Sequence, residues 1–264
     1  MRFQGQVRKM SSVLSKPIQY YLMLSDDIIH MNQVFGKEFR IKHIGFQCVN
    51  CKEEKPLYRM GFCKQCFFES PLASESIIRP ELSKAHLGIE ERDLEVEKSI
   101  QLQPHIVYLA YTGDVKVGVT RESQVPTRWI DQGATFALPI AKTNNRYEAG
   151  VIEVELKKHF NDKTYYKKML ESEYGSEQDL MDFRNQIQQH FPKGFEQFYK
   201  EDAEVFRLDF PYIVPEKINV ITLDKKPEFV AVLKGIKGQY LHFEGDYFIN
   251  IRNHEGYLIE LDII

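Results

Sequence analysis

The sequence contains no apolar run long enough to cross a membrane and no apolar run close to its first residues. A transmembrane helix needs about 20 predominantly apolar residues, and a secretory signal peptide needs an apolar core behind a basic start. We therefore expect a cytoplasmic protein that makes no contact with a membrane. The formal net charge is only −3, which excludes a polycation that binds nucleic acid through its total charge.

Cysteine and tryptophan are scarce, with four cysteines and one tryptophan among 264 residues. All four cysteines lie between Cys48 and Cys66. In a chain without an export signal, such a cluster indicates the reducing cytoplasm, where grouped thiols are more often a metal site than a pair of disulfides.

Apolar side chains, by contrast, are plentiful. Hydrophobic residues make up 43% of the chain, aromatic residues 12% and charged residues 28%, which is typical of a folded protein with buried cores. The length exceeds what one small core organises and predicts two or three compact units. Basic residues dominate from Lys37 to Cys66, and acidic residues dominate 69–97 and 169–209. This distribution fits either a local positive face or ordinary solvated charges.

Short strands dominate both ends of the chain. Residues 1–45 and 211–264 are rich in β-branched and aromatic residues and are divided by turn residues. The segments that begin at Gln19 and Gln239 share a Gln-Tyr pair, an acidic turn, an asparagine and a glycine followed by a strand, which indicates a degenerate repeat. We predict that the two ends pair into one β domain and that the rest of the chain is inserted between them.

The inserted part is predicted to complete an α+β fold. Its segments are a four-cysteine module (46–68), an acidic connector (69–103), a small antiparallel sheet with flanking helices (104–168) and a helical region (169–210). Ser176 and Asp179, at the start of the helical region, have the spacing of a capping box.

The cysteines form two Cys-x-x-Cys pairs, Cys48 with Cys51 and Cys63 with Cys66. Each pair closes a tight turn that brings two thiolates to one side, and two such turns can supply the four sulfurs of a tetrahedral zinc ion. Gly61 gives the second turn its backbone freedom. The alternatives are an iron–sulfur cluster, a redox-active dithiol pair and unligated core cysteines. A closed four-thiolate shell has no position for a substrate water, so we expect a structural zinc ion.

The central segment predicts a hairpin, a short helix, a third strand and a longer helix. The hairpin strands are expected at His105–Tyr111 and Val115–Arg121, around a tight Thr-Gly-Asp turn. Pro126 fits the start of the short helix. The third strand is expected at 136–142, and the longer helix, with Asn145 as its N-cap, runs to Phe160.

This order of elements resembles the GIY-YIG nuclease domain. Ile106-Val107-Tyr108 stands where the first motif triplet belongs, and Lys116-Val117-Gly118 stands where the second does. Ile106 replaces the first glycine, and Lys116 replaces the second tyrosine. Across nearly its full length the chain also resembles a bacterial and archaeal family known as domain of unknown function 2797. That resemblance rests on the cysteine pairs and on three motifs: Lys116–Arg121, Arg128–Ala134 and Gly235–Leu241.

The nuclease resemblance implies magnesium-dependent cleavage of a phosphodiester bond in DNA or RNA. Tyr108 would help to activate the attacking water, and Lys116 would stand beside the phosphate. Arg128 matches the helical arginine of that family and would clamp the phosphate, and Glu153 matches the glutamate that holds Mg²⁺. Further candidate contacts to nucleic acid are Arg121, Trp129 and Arg146.

Each of these residues also has a structural interpretation. Tyr108 and Lys116 fit an amphipathic strand, and Trp129 can pack the short helix on the sheet. Glu153 lies four residues before Lys157 and can form a helix ion pair. The leading hypothesis is a magnesium-dependent nuclease with a structural zinc module. The alternatives are a non-catalytic nucleic-acid-binding protein and a protein-interaction scaffold. The scaffold is favoured by the acidic net charge and by the acidic segment 169–209.

Overall fold

The computed structural model describes residues 1–159, 165–172 and 175–264. Its strands are β1 (Arg2–Val13), β2 (Gln19–Leu24), β3 (Asp27–His30), β4 (Glu38–Phe46), β5 (Leu57–Arg59), β6 (Phe62–Cys63), β7 (His105–Tyr111), β8 (Val115–Arg121), β9 (Phe136–Thr143), β10 (Phe206–Arg207), β11 (Asn219–Ile221), β12 (Glu228–Lys237), β13 (Tyr240–Phe243), β14 (Tyr247–Asn250) and β15 (Tyr257–Ile263). Its α-helices are α1 (Lys64–Glu69), α2 (Glu75–Ile78), α3 (Leu94–Gln101), α4 (Thr127–Asp131), α5 (Arg146–Lys157), α6 (Tyr166–Glu171) and α7 (Glu177–His190).

The predicted α+β class is confirmed by these elements. Phe160, the predicted end of the longer central helix, lies outside the described residues. Among the described residues, no helix is both long enough and apolar enough to cross a membrane.

The chain folds into two compact units. Unit 1 consists of Met1–Glu69 and Asp209–Ile264, and unit 2 consists of Ser70–Leu208. The four-cysteine module therefore belongs to the same unit as both chain ends. The predicted acidic connector, residues 69–103, belongs to unit 2 except for Glu69.

Carboxylates of that acidic stretch cap its own backbone. The Asp93 side chain accepts a hydrogen bond from the Val96 N–H at the start of α3. The buried Glu97 carboxylate accepts hydrogen bonds from the N–H groups of residues 91–93. Because the first N–H groups of a helix have no partner within the helix, part of the acidic composition serves local folding.

Unit 1 is built on one sheet to which both chain ends contribute, and at its centre β4 and β15 are exchanged between them. The strand order is β11-β14-β13-β12-β4-β15-β1-β2-β3. β1 pairs antiparallel with β15, so that Arg2–Gln6 lies beside Leu258–Asp262. β4 lies between β12 and β15 and pairs antiparallel with both. Neither end of the chain can complete this sheet alone.

The two ends repeat one succession of elements. After a first strand, each has a hairpin, a 3-10 turn and a last strand: β2-β3-β4 near the start and β13-β14-β15 near the end. Positive φ occurs at matching places, 51° at Ser25 and 75° at Gly245 in the hairpin turns. β4 and β15 pair around Ile41 and Leu261, which occupy equivalent positions. Each half therefore gives its last strand to the other half.

Unit 2 contains a central sheet in the order β10-β9-β7-β8, and its two faces differ. Apolar side chains that include Val107, Leu109 and Val117 pack on one face against the apolar sides of α5 and α7. Successive residues of a strand point to opposite faces, so Tyr108 and its register partner Gly118 share the other face.

The predicted caps are present in this unit. The Asn145 side chain accepts the Glu148 N–H at the start of α5. Ser176 and Asp179 form both hydrogen bonds of a capping box at the start of α7.

Candidate functional site

The four cysteines form one compact cluster in unit 1. Their Sγ atoms all lie within 4.8 Å of one another, and Cys48, Cys63 and Cys66 are buried. A tetrahedral ion with Zn–S bonds of about 2.3 Å places its sulfurs about 3.8 Å apart. The cluster therefore has the size and donor set that hold a metal ion.

The pKa values of Cys48 and Cys66 are shifted in opposite directions by their surroundings. Burial acts to raise the pKa of Cys48, but backbone N–H groups of Cys63, Cys51 and Asn50 outweigh it and lower the pKa to about 6. The Asn50 amide donates to Cys66 Sγ at 3.4 Å and acts to lower the pKa of Cys66. Burial and the three neighbouring sulfurs outweigh that effect and raise the Cys66 pKa to about 12. Four thiolates this close together repel one another without a cation among them, so the donor chemistry also fits a divalent ion.

Tyr108 lies in the interior of unit 2. Its side chain is fully buried, and its hydroxyl donates to Gln132 Oε1 at 3.1 Å. Burial raises the pKa of the hydroxyl, while the charge of Arg128 acts to lower it. The Tyr108 hydroxyl is therefore a protonated hydrogen-bond donor at neutral pH, out of contact with bulk water.

Gly118 provides the space that the Tyr108 ring occupies. A Cβ atom on Gly118 would lie 2.7 Å from Tyr108 Oη and 2.8 Å from its Cζ, closer than side-chain carbons approach other atoms. Tyr108, in the first motif triplet, therefore requires a glycine at position 118, in the second, because the two residues are paired across β7 and β8.

Glu153 lies on the buried side of α5 and is already paired. It is 7% exposed, and its carboxylate lies 3.2 Å from Lys157 Nζ. Burial raises the pKa of Glu153, whereas Lys157 and Arg146 act to lower it. The helix ion pair of the structural interpretation is present, so cations of the same unit neutralise this carboxylate.

The charges of Arg121 and Arg128 both act on Arg146, and we call these three residues the arginine cluster. The pKa of Arg146 falls to about 10, first because of burial and then because Arg121 and Arg128 are near; Glu153 opposes the fall. His105 responds to the same positive charge. Its pKa falls to about 4 because of burial, with further contributions from Arg146 and Arg121.

The members of the arginine cluster differ in how firmly they are held. Arg146 Nε donates to the carbonyl oxygen of Ser76 at 2.8 Å, and its Nη2 donates to that of Ile77 at 2.7 Å. These carbonyls belong to α2, whose last carbonyls have no partner within so short a helix. All three arginines are half-buried, and the charge of Arg128 also acts on the Tyr108 hydroxyl.

The predicted catalytic residues are partly brought together. The charges of Arg128 and Glu153 both act on the Tyr108 hydroxyl. Lys116 pairs in register with Ala110, shares the sheet face of Tyr108 and is buried. Their convergence is in the interior, and the Tyr108 hydroxyl does not reach the surface.

Trp129, a predicted contact to nucleic acid, is fully buried. Its ring lies 5.8 Å from the ring of Tyr108 and 5.1 Å from that of Phe206, between centroids. In this conformation it packs α4 on the sheet and offers no free face to a base. The physical reason is that a short helix is held on a sheet by its large apolar side chains, here Trp129 and the equally buried Ile130.

Comparison with known proteins gives a family. The model of the family described as "Protein of unknown function (DUF2797)" matches residues 36–259. The chain belongs to this family. The match covers the cysteine cluster and the whole central sheet. A search of the curated proteins and one of the solved structures found no match, so family membership brings no activity with it, and the likeness to GIY-YIG nucleases stays a prediction.

Sequence reasoning missed two hydrogen-bond partners at these sites. Gln132 accepts from Tyr108, and it lies four residues after Arg128, a spacing that places two side chains on one side of a helix. Asn50 donates to Cys66, and its position between Cys48 and Cys51 was the available signal.

Proposed function

We propose that this protein binds the phosphate backbone of nucleic acid at its arginine cluster and holds a structural zinc ion at its cysteine cluster. The observation that carries the first half is that the charges of Arg121 and Arg128 both act on Arg146, while the nearby Glu153 carboxylate is already paired with Lys157. Guanidinium groups held close together repel one another, and an anion among them relieves that repulsion. Their planar donors match phosphate oxygens.

The zinc assignment is supported by the four mutually close sulfurs. One ion with four thiolate ligands fits the 4.8 Å limit of the cluster, whereas a cluster of several iron atoms needs a wider cage. With all four positions taken by sulfur, the ion would have no open site for a substrate. Zinc would hold together the short hairpin β5–β6 and helix α1.

Magnesium does not fit the surroundings of Glu153. Mg²⁺ requires a near-octahedral set of oxygen ligands, and among the described residues only the cysteines form a cluster of three or more metal-binding side chains. Glu153 offers a single carboxylate, paired with Lys157 and close to Arg146. The positive charges of Lys157 and Arg146 repel an approaching Mg²⁺ ion. We therefore favour binding without cleavage and derive no step through magnesium.

We expect the double variant Arg121→Ala/Arg128→Ala to bind a fluorescein-labelled oligonucleotide about tenfold to a hundredfold more weakly than the wild type at low salt. Each phosphate contact that is lost reduces the number of counterions released on binding. The slope of log affinity against log salt should therefore become shallower by about 1.5. Fluorescence anisotropy at several salt concentrations measures both quantities, with single-stranded and duplex DNA and RNA compared.

Lys98→Ala is the matched control, because Lys98 is a cation of the same unit that pairs with Glu95 on α3. It should bind the oligonucleotide as the wild type does. Circular dichroism must show that the double variant is folded, since Arg128 interacts with Tyr108. Equal affinity of the double variant and the wild type would refute the phosphate site.

The nuclease hypothesis is tested with the same protein. Plasmid DNA and structured RNA are incubated with and without Mg²⁺, using the wild type and Glu153→Gln. Our proposal predicts binding without cleavage in every sample. Magnesium-dependent cutting by the wild type that Glu153→Gln loses would instead establish the nuclease.

A further inference from the structure

A cavity of about 350 Å³ lies in unit 2. Its walls include five apolar side chains: Ile106, Val125, Trp129, Pro139 and Phe206. Ile106 precedes the core residue Val107 by one, so it lies on the sheet face of Tyr108. Pockets that take small molecules have volumes of about 300–1,000 Å³. The cavity is therefore large enough for one side chain of a partner.

Trp129 lines this cavity and also carries an unused hydrogen-bond donor. Its indole Nε1 is buried and has no hydrogen-bond partner within the part of the chain that the structure describes. A buried donor without an acceptor costs about 1–3 kcal/mol. An acceptor that enters the cavity beside the indole, such as a peptide carbonyl, removes that cost.

The rim of the cavity is acidic. Three carboxylates, those of Glu122, Asp202 and Glu204, stand there with one ammonium group, that of Lys200. Glu122 pairs with Lys142 at 2.7 Å. Within residues 1–159, 165–172 and 175–264, Asp202 and Glu204 have no ion pair. The excess of negative charge attracts a cation and repels the phosphates of nucleic acid.

We infer that this cavity receives an arginine or lysine side chain from an extended segment of a partner protein. The methylene groups of such a side chain match the apolar walls, and its cation matches the free carboxylates and the exposed ring of Phe206. A backbone carbonyl of the segment can accept from the indole. Phe206 also begins β10, an edge strand of the central sheet, where an extended chain can add its backbone.

The single tryptophan makes this inference directly measurable. Because Trp129 is the only tryptophan in the chain, intrinsic tryptophan fluorescence reports on this cavity alone. The protein is titrated with acetyl-Ala-Arg-Ala-amide, its lysine analogue and its glutamate analogue. The two basic peptides should change the emission of Trp129 to saturation, with dissociation constants of roughly 0.1–1 mM for ligands of this size. The glutamate peptide should leave the emission unchanged.

Charge reversal at the rim tests the role of the carboxylates. Asp202→Lys/Glu204→Lys should weaken binding of the arginine peptide at least tenfold, and both positions are exposed, so the fold is preserved. Glu216→Lys, an exposed change in unit 1, should bind as the wild type does. Equal responses to basic and acidic peptides, no response to any peptide, or full binding by the reversed variant would each overturn the inference. A response to an oligonucleotide alone would reassign the cavity to nucleic acid.

Discussion

Replacing Cys63 by alanine is expected to abolish metal binding and to unfold the four-cysteine module. The elements that the cysteines close are very short: the hairpin strands Leu57–Arg59 and Phe62–Cys63 and the helix Lys64–Glu69. Modules of this size lack a core that can stabilise them alone. Structural zinc contributes about 10–16 kcal/mol of binding free energy in zinc-finger peptides, so its loss exceeds what the module's other contacts can offset.

Metal analysis should find one zinc ion per chain in the wild type and none in Cys63→Ala. Limited proteolysis should then cut the variant within 46–68, where the wild type resists. A strong chelator should produce the same new cleavage in the wild-type protein, and added zinc should reverse it.

Two variants bracket this prediction. Lys64→Ala changes an exposed residue directly after Cys63 and should retain zinc. Asn50→Ala removes the amide donor to Cys66 and should weaken zinc binding about tenfold to a hundredfold, as loss of a ligand's hydrogen-bond partner usually does. Iron in place of zinc would support a metal site at the four cysteines but refute the assignment of zinc. A protease-resistant module without any metal would refute the site itself.

Features that depend on near neighbours in the chain could be predicted from the sequence. The cysteines cluster because each pair is closed by its own turn, and the hairpin His105–Tyr111 with Val115–Arg121 follows from a turn between two apolar runs. The caps at Asn145 and Ser176 are equally local. In each case the residues that form the feature are within a few positions of one another.

Burial at the candidate site depends instead on distant parts of the chain. Arg146 is fixed by carbonyls of Ser76 and Ile77, about seventy positions earlier. Composition alone could not show that this acidic stretch folds into unit 2 and anchors an arginine of α5. The same holds for Tyr108, since a period-two pattern leaves open which face of a strand another helix covers.

Replacing Gly150 by alanine should destabilise unit 2, although helix propensity predicts the opposite. Alanine favours a helix interior over glycine by about 1 kcal/mol. Here the added Cβ would lie 2.3 Å from the backbone nitrogen of Glu81 and 2.5 Å from the carbonyl carbon of Pro80. Both atoms belong to the backbone of the 3-10 turn Pro80–Leu82, and backbone atoms cannot rotate away as a side chain does. We expect a net loss of about 2–4 kcal/mol, which calorimetry should register as a fall in melting temperature of about 5–15 °C.

Val154→Ala is the control within the same helix. Val154 is 38% exposed, so its truncation should cost less than about 1 kcal/mol. If Gly150→Ala melts at or above the temperature of the wild type, the close approach of α5 to the turn at Pro80 is wrong.

The position of Gly150 also links the fold of unit 2 to its proposed site. Arg146, Gly150, Glu153 and Lys157 follow one another at spacings of four, three and four, so they form one stripe of α5. The missing side chain at Gly150 lets the turn approach this stripe and brings α2 within reach of Arg146. A Cβ atom there would move the helix away and separate Arg146 from its carbonyls. Gly150→Ala should therefore lose oligonucleotide affinity about tenfold at temperatures where it remains folded, whereas Val154→Ala should retain it.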